Sequence, residues 1–375
     1  MPQKPPIIVA SVLKPVDDSR MLYKLGFSIR ETNKYDLNII GFSSKKTPKV
    51  ENIRLIEIFS GPRTNLSRIF VHFKFLRQLI KIRPAVVIVT TFELLPIATL
   101  AKPFLSYKLI YDVQENYGKN ITYNQTMPAF LRVVAKSLVR LSERLGKTAI
   151  DHYIFAEQCY ATEMPSINSY TVIENKAAIS SPFKPSFRLP NPISPHFIIC
   201  GTITPVYGVI PAIEWFLKLK EALPNAKLTL VGHCPLTSFY QELTNIYGLE
   251  EGIHLELSDH PLPIGHIRNK VLEADILMLP YLLLPSIKDK IPTKLYEGIA
   301  LQKVILMSQN PLWKTIVDKY PAGICIDFLA TEEVSSVWKS LLNLDYYQLQ
   351  PDENLFWEAE KRKFQQLLIN ITSPN

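Results

Sequence analysis

The chain alternates short runs rich in Ile and Val with longer amphipathic stretches, breaks once at a proline-dense segment, and then alternates again. Strands are expected at 6–12, 36–42, 53–58, 85–90, 107–113, 151–155 and 170–173, with helices near 19–33, 65–82, 92–105 and 128–147. Alternation of this kind builds βαβ units around a mainly parallel sheet. The near-continuous apolar character of the strand runs fits strands covered on both faces. The segment 181–195 carries Pro182, Pro185, Pro190, Pro192 and Pro195. Proline fixes φ and removes a donor, so a linker is expected at about 180–195. Strands are then expected at 196–200, 227–231, 253–257, 275–279, 303–307 and 323–326. Helices belong near 209–222, 236–246, 264–273, 292–300 and 331–343, and a last amphipathic helix runs from Asn354 through Ile371.

The pattern predicts an α/β chain of two doubly wound domains, 1–185 and 196–350, followed by a C-terminal helix over 351–375. The 375 residues, 47% of them apolar, suffice for a core in each domain. Two such sheets would present a cleft between their strand-end faces, and open α/β sheets bind ligands at the carboxyl ends of their strands.

Composition narrows the setting. No apolar run approaches the roughly 20 residues of a spanning helix. The run Ile7–Ala10 is too short for a signal-peptide core and reads as a buried first strand. Cys159, Cys200, Cys234 and Cys325 are far apart and form no C-x-x-C pair, which points to a reducing compartment rather than a disulfide framework or zinc cluster. The seven histidines show no metal-ligand spacing, so no metal is expected. These features predict a cytoplasmic protein.

Three segments carry chemistry. A strand ending at Pro280 is followed by a loop and by Ile291-Pro292-Thr293-Lys294-Leu295-Tyr296-Glu297. Pro292 suits a first helical turn, whose amides can bind an anion such as diphosphate. Lys294 adds a positive charge in that turn, and Glu297, one turn on, can accept hydrogen bonds from sugar hydroxyls. The alternative is a solvated helix with a surface lysine and glutamate. The second segment is Cys200-Gly201-Thr202-Ile203-Thr204-Pro205-Val206-Tyr207-Gly208, where Gly201 permits close backbone approach after a strand. The third is Tyr111-Asp112-Val113-Gln114-Glu115 at the end of a strand, where Asp112 and Glu115 can also serve simply as caps.

The first segment resembles the donor-binding signature of GT-B glycosyltransferases, particularly glycosyltransferase family 4, in which a Glu and a second Glu eight positions later frame a helix start. Glu297 matches the second, and Asp289, a shorter carboxylate, stands at the place of the first. In that family the loop matching Gly201–Gly208 carries an Arg and a Lys on the donor diphosphate; here Thr202 and Tyr207 stand at those places. Gln114 replaces the His of an Asp-x-His-Glu segment, losing a group that titrates near neutrality. Asp18-Ser19-Arg20, Glu174-Asn175, Leu230-Val231-Gly232 and Ser258-Asp259-His260 extend the resemblance, and the final helix is similar to one that crosses back to the first domain.

The resemblance implies transfer of a sugar from a nucleotide-diphosphate sugar to a glycan or lipid-linked acceptor, with retention, without a metal or other cofactor, in glycan biosynthesis. It implies Glu297 on the ribose, Lys294 and the Thr293 amide on the diphosphate, Gly201, Thr202 and Tyr207 beside it, His260 towards the base, and Asp289 and Gln114 on the reacting sugar. The alternative, favoured by Thr202, Tyr207 and Gln114, is a non-catalytic scaffold or sensor of sugar nucleotides.

Charge is uneven. Residues 1–190 hold 27 Lys+Arg and 14 Asp+Glu, a net of +13, whereas the rest holds 15 and 20. Two stretches concentrate it: 64–84, with Arg68, Lys74, Arg77, Lys81 and Arg83, and 129–147, with Arg132, Lys136, Arg140, Arg144 and Lys147. Each reads either as a core-facing helix with a solvated basic face or as a helix lying on an anionic membrane. The second reading would make the protein peripheral on the inner membrane face. No nucleic-acid recognition motif accompanies the charge, and no nucleic-acid partner is expected.

Overall fold

Every residue of Val86–Val89 is buried, as a strand covered on both faces requires. The computed structural model describes residues 4–44, 47–60, 70–123, 128–179 and 181–373. The expected helix start at 65–69, with Arg68, lies outside these. The described chain forms two compact units, Met1–Ala178 with Trp357–Asn375, and Ile179–Phe356.

Seven strands make the sheet of the first unit: β1 (Pro6–Pro15), β2 (Asp36–Phe42), β3 (Ile53–Phe59), β4 (Val86–Val89), β5 (Lys108–Val113), β6 (His152–Phe155) and β7 (Tyr170–Val172). They are all parallel and lie in the order β3-β2-β1-β4-β5-β6-β7. Successive side chains point to opposite faces of a strand. Ile8, Val87, Val89 and Leu109 accordingly join one core with Phe75, Leu79 and Ala98 from the helices Val71–Ile82 and Leu95–Leu105. Ile7, Val9, Ile88 and Ile110 join the other, with Leu22 and Leu25 from the turns after β1. The helix Trp357–Thr372 completes this second core through Trp357, Phe364, Leu367 and Leu368. Polar contacts fix its return: the Trp357 amide donates to the Ala177 carbonyl at 2.7 Å, and buried Glu360 receives Lys176 Nζ at 2.7 Å and the Glu174 amide at 3.1 Å. The last helix thus belongs to the first unit, as expected.

The second unit holds β8 (His196–Thr202), β9 (Lys227–His233), β10 (Ile253–Ser258), β11 (Ile276–Leu279), β12 (Val304–Ser308) and β13 (Gly323–Ile326). These too are parallel, in the order β10-β9-β8-β11-β12-β13. That is the winding of the first six strands of the first unit, so both are doubly wound sheets in which the order reverses beside the first strand.

The proline-dense segment packs onto the second unit. Phe187 pairs antiparallel with Tyr346 and stacks on Tyr347 at 5.7 Å, and the Lys184 amide donates to Gln302 at 2.7 Å. The contacts divide the chain at Ala178–Ile179 and at Phe356–Trp357, several residues from the expected 185–196 and 350–351. Arg188 and Asp345 also meet in this segment, at 3.0 Å, but both are exposed. Exposed pairs contribute little. Arg188→Ala is therefore expected to change unfolding free energy by less than about 1 kcal/mol in a denaturant titration.

Candidate functional site

In the second unit the strand order reverses between β8 and β11, and ligands of open α/β sheets sit at the carboxyl ends of strands at such a point. Two glycines shape the loop leaving β8. Gly201 has φ +111°, and a Cβ there would come 3.4 Å from Lys294 Cε, so the lysine stem lies across the glycine. Gly208 has φ +65°, and a Cβ there would come 1.8 Å from the Pro280 carbonyl oxygen. The loop after β8 thus meets the exit of β11 backbone against backbone. The Leu282 amide donates to the Val206 carbonyl at 3.2 Å and adds to this contact. Tyr207 lies edge-on to Tyr281 at 4.9 Å, and Tyr281 edge-on to Trp313 at 5.6 Å. Thr202 is exposed at the end of β8. The Thr204 hydroxyl is buried with no hydrogen-bond partner among the described residues.

Lys294 stands in the first turn of the helix Thr293–Ala300, whose N-cap is Pro292. Its Nζ donates to Glu297 Oε2 at 2.6 Å, and the two side chains keep 23% and 18% of their surface in solvent. Both groups can therefore still meet a ligand. Burial works against the lysine charge, but the Glu297 carboxylate, by its charge and its hydrogen bond, outweighs it and raises the lysine pKa. Cys200, behind Gly201, is pushed up to about 11, mainly by burial, and is a neutral thiol at physiological pH. The helix start adds a partial positive charge of its own.

The loop between β11 and this helix is held from a neighbouring element. Asn310 Nδ2 donates to the Lys288 carbonyl at 2.8 Å, and Trp313 Nε1 to the Lys290 carbonyl at 2.6 Å. Asn310 also caps the helix Pro311–Lys319, accepting from the Leu312 and Trp313 amides. Asp289, between those two carbonyls in the chain, is exposed in a turn and joins none of the hydrogen bonds of Lys294 or Glu297. His260 follows β10 at the edge of the sheet, exposed, its Nδ1 3.4 Å from Asp259. The structure therefore pairs Lys294 with Glu297 beside Gly201, places Thr202, Thr293 and Tyr207 on the adjoining loop and helix start, and sets His260 after β10, two strands from β8.

Gln114 belongs to the first unit. Its Nε2 donates to Asp112 Oδ2 at 2.8 Å, and its carbonyl accepts from the Tyr160 hydroxyl at 3.1 Å. Asp112 is wholly buried and does not cap a turn. It receives Arg20 through Nη2 at 2.7 Å and Nε at 3.0 Å, and Arg20 Nη2 also donates to the Ile173 carbonyl at 2.9 Å. Arg20 Nη1 is buried with no partner among the described residues. Asp18 takes the capping role instead, accepting from the amides of Arg20 and Met21.

Among the described residues no group of three His, Cys, Asp or Glu side chains is placed to hold a metal ion, and no helix is long and apolar enough to cross a membrane.

No protein-family model matches the sequence, and no curated protein does. Solved structures do. Sucrose-phosphate synthase from Thermosynechococcus elongatus superposes with a TM-score of 0.69 at 13% identity, over 98% of this chain and 99% of that one. WaaG, a glycosyltransferase involved in lipopolysaccharide biosynthesis, gives 0.64 at 14% identity over 98% and 100%. Anabaena HepE in complex with UDP-glucose gives 0.61 at 12% identity over 98% and 100%. Likeness over nearly the whole of each chain shows the class of fold: the chain has the GT-B fold.

Proposed function

We propose that the protein is a glycosyltransferase that takes a sugar from a nucleoside-diphosphate donor bound at the β8–β11 reversal of the second unit. The observation that carries this reading is Lys294, charged, laid across Gly201 at a helix start and paired with Glu297. Gly201 has no side chain to keep a diphosphate away from the backbone. Lys294 and the amides of Thr293 and Lys294 supply positive charge at that spot. Glu297, released from Lys294 as the phosphates arrive, accepts hydrogen bonds from ribose hydroxyls. Tyr207 presents an aromatic surface beside the phosphates where the resembling family has a cation. In this reading His260 lies on the side of the base, and Asp289 reaches a sugar hydroxyl. HepE, which shares the fold, holds UDP-glucose, which supports a donor of this chemical class.

In the reaction the bond between the anomeric carbon and the phosphate oxygen breaks, with its electron pair leaving on the nucleoside diphosphate. A bond from the acceptor hydroxyl oxygen to the anomeric carbon forms, and the hydroxyl proton passes to the departing phosphate. Positioning and stabilisation of the leaving charge supply the rate enhancement. Retention, a glycan or lipid-linked acceptor and independence from metal follow the family resemblance.

The test is thermal stability of the purified chain against UDP-, GDP-, ADP- and dTDP-sugars, with and without EDTA. A ligand that binds only the native state at 100 times its Kd stabilises by about 2.7 kcal/mol. One nucleotide is expected to raise the melting temperature equally in both buffers. Glu297→Ala should weaken that donor about tenfold or more, in line with loss of a charge-assisted hydrogen bond. Undiminished donor affinity in Glu297→Ala would remove the ribose assignment.

A second reading rests on Thr202 and Tyr207, which leave Lys294 to meet the diphosphate without the two cations of the family pattern. In this reading the protein is a non-catalytic scaffold or sensor. Donor binding without turnover would favour a sensor, and no shift with any donor at millimolar concentration would favour a scaffold.

A further inference from the structure

The helix Ala129–Gly146 buries only Val139 and Gly146 of its 18 residues. Phe130, Val134, Leu138, Leu141 and Leu145 are 50–69% exposed. At 3.6 residues per turn these five fall within an arc of about 80°, a continuous apolar row along the solvent side. Arg132, Lys136, Arg140 and Arg144 occupy the adjoining arc. The helix has one carboxylate, Glu143, and it turns inward: the Tyr111 hydroxyl donates to it at 3.5 Å, and burial pushes its pKa up.

The neighbouring helices continue the pattern. Leu95–Leu105 packs beside Ala129–Gly146 and exposes Leu100 and Phe104, the latter to 86%. Val71–Ile82 packs beside Leu95–Leu105; it buries Val71, Phe75 and Leu79, exposes Phe73 and Ile80 with Lys74, Arg77 and Lys81, and contains no acidic residue. Of the two sequence readings, the core-facing one holds for the buried side of Val71–Ile82 but leaves the apolar row of Ala129–Gly146 without a core to face. Exposed apolar patches on this scale mark interaction surfaces.

We propose that this three-helix face of the first unit docks on an anionic lipid bilayer. The row Phe130–Leu145 enters the boundary between headgroups and acyl chains, and the flanking arginines and lysines meet lipid phosphates. The juxtaposition decides the occupant. A long apolar row flanked by cations, with its lone carboxylate turned away, matches an anionic lipid interface in both polarity and charge. The inference does not rest on the donor reading, because its residues all lie in the first unit and its test uses no sugar nucleotide.

The test is flotation of the full chain with vesicles of phosphatidylcholine alone and of phosphatidylcholine mixed with phosphatidylglycerol. The chain should float with the mixed vesicles, and binding should fall as salt is raised. Arg140→Gln with Arg144→Gln should lower the partition coefficient about 25-fold, near fivefold for each cation. Leu138→Gln with Leu141→Gln should lower it at least tenfold. Both pairs are exposed, so melting temperatures should match the parent, and Lys314→Gln in the second unit should float as the parent does. Absence of flotation with the mixed vesicles would overturn the proposal, as would equal partition of the parent and both double variants. If instead light scattering shows a dimer that Leu138→Gln with Leu141→Gln converts to monomer, with vesicle binding unchanged, the face belongs to a second copy and the lipid proposal fails.

Discussion

Replacing Asp112 by Asn is expected to lower the stability of the first unit by about 3–5 kcal/mol, because it leaves the Arg20 charge buried and uncompensated. For a unit of this size that is a fall in melting temperature on the order of 10 °C. Arg20 is 3% exposed and Asp112 not at all, so water cannot take over the lost partner. Asp112 joins β5 to the turns after β1, and through Arg20 to the Ile173 carbonyl beyond β7, so three parts of the sheet depend on one carboxylate. The double variant Arg20→Met, Asp112→Leu should recover much of the loss, since well-packed apolar residues often replace a buried pair at little cost. Scanning calorimetry of the three proteins decides the matter. A single variant that melts with the parent would mean that the pair is not what holds these strands together.

The second large effect is expected at Gly208. Valine there must adopt φ +65° and place Cβ where the Pro280 carbonyl oxygen stands. The backbone conformation alone costs about 1–3 kcal/mol, and relieving the overlap moves the loop that leads to Lys294. Gly208→Val should therefore lose at least about 3 kcal/mol of stability together with donor binding. Gly265, where an added Cβ meets nothing within 4 Å, supplies the control. Urea titration and donor titration separate the two effects. Intact donor affinity in a destabilised Gly208→Val protein would show that the β8 and β11 loops bind independently of their contact.

The fold could be read because its central strands are buried on both faces. Val86–Val89 and Ile276–Leu279 announce themselves as uninterrupted apolar runs, and so do the segments that pair with them. The helix Pro311–Lys319 escaped although its signal was present: Asn310 is a good cap and Pro311 a good first residue. The helix Tyr117–Tyr123 escaped for a different reason. It is short and buries none of its residues, so no periodicity marks it. The proline-dense segment reads as a linker in the sequence because proline excludes helix and inner strand. It does neither here, but its aromatic and polar side chains still bind it to the second unit.

At the candidate site, Lys294 and Glu297 could be placed together because three positions on a helix bring side chains to one face. The long-range pairs within each unit could not. Arg20 and Asp112 are 92 positions apart, and Asn310 reaches a carbonyl 22 positions away. Such pairs depend on which strands are neighbours, and local sequence does not encode that. The orphaned Thr204 hydroxyl is likewise visible only once its burial is known.

The return of Trp357–Thr372 to the first unit has a consequence for synthesis. The second unit is continuous, from Ile179 to Phe356, whereas the first lacks part of its core until Phe364, Leu367 and Leu368 exist. Domains usually finish in the order in which their chains emerge, at about 5–20 residues per second. Here the domain begun first is finished last. At those rates the stretch from Ile173 to Phe364 takes roughly 10–40 s, during which that core stands without Phe364, Leu367 and Leu368.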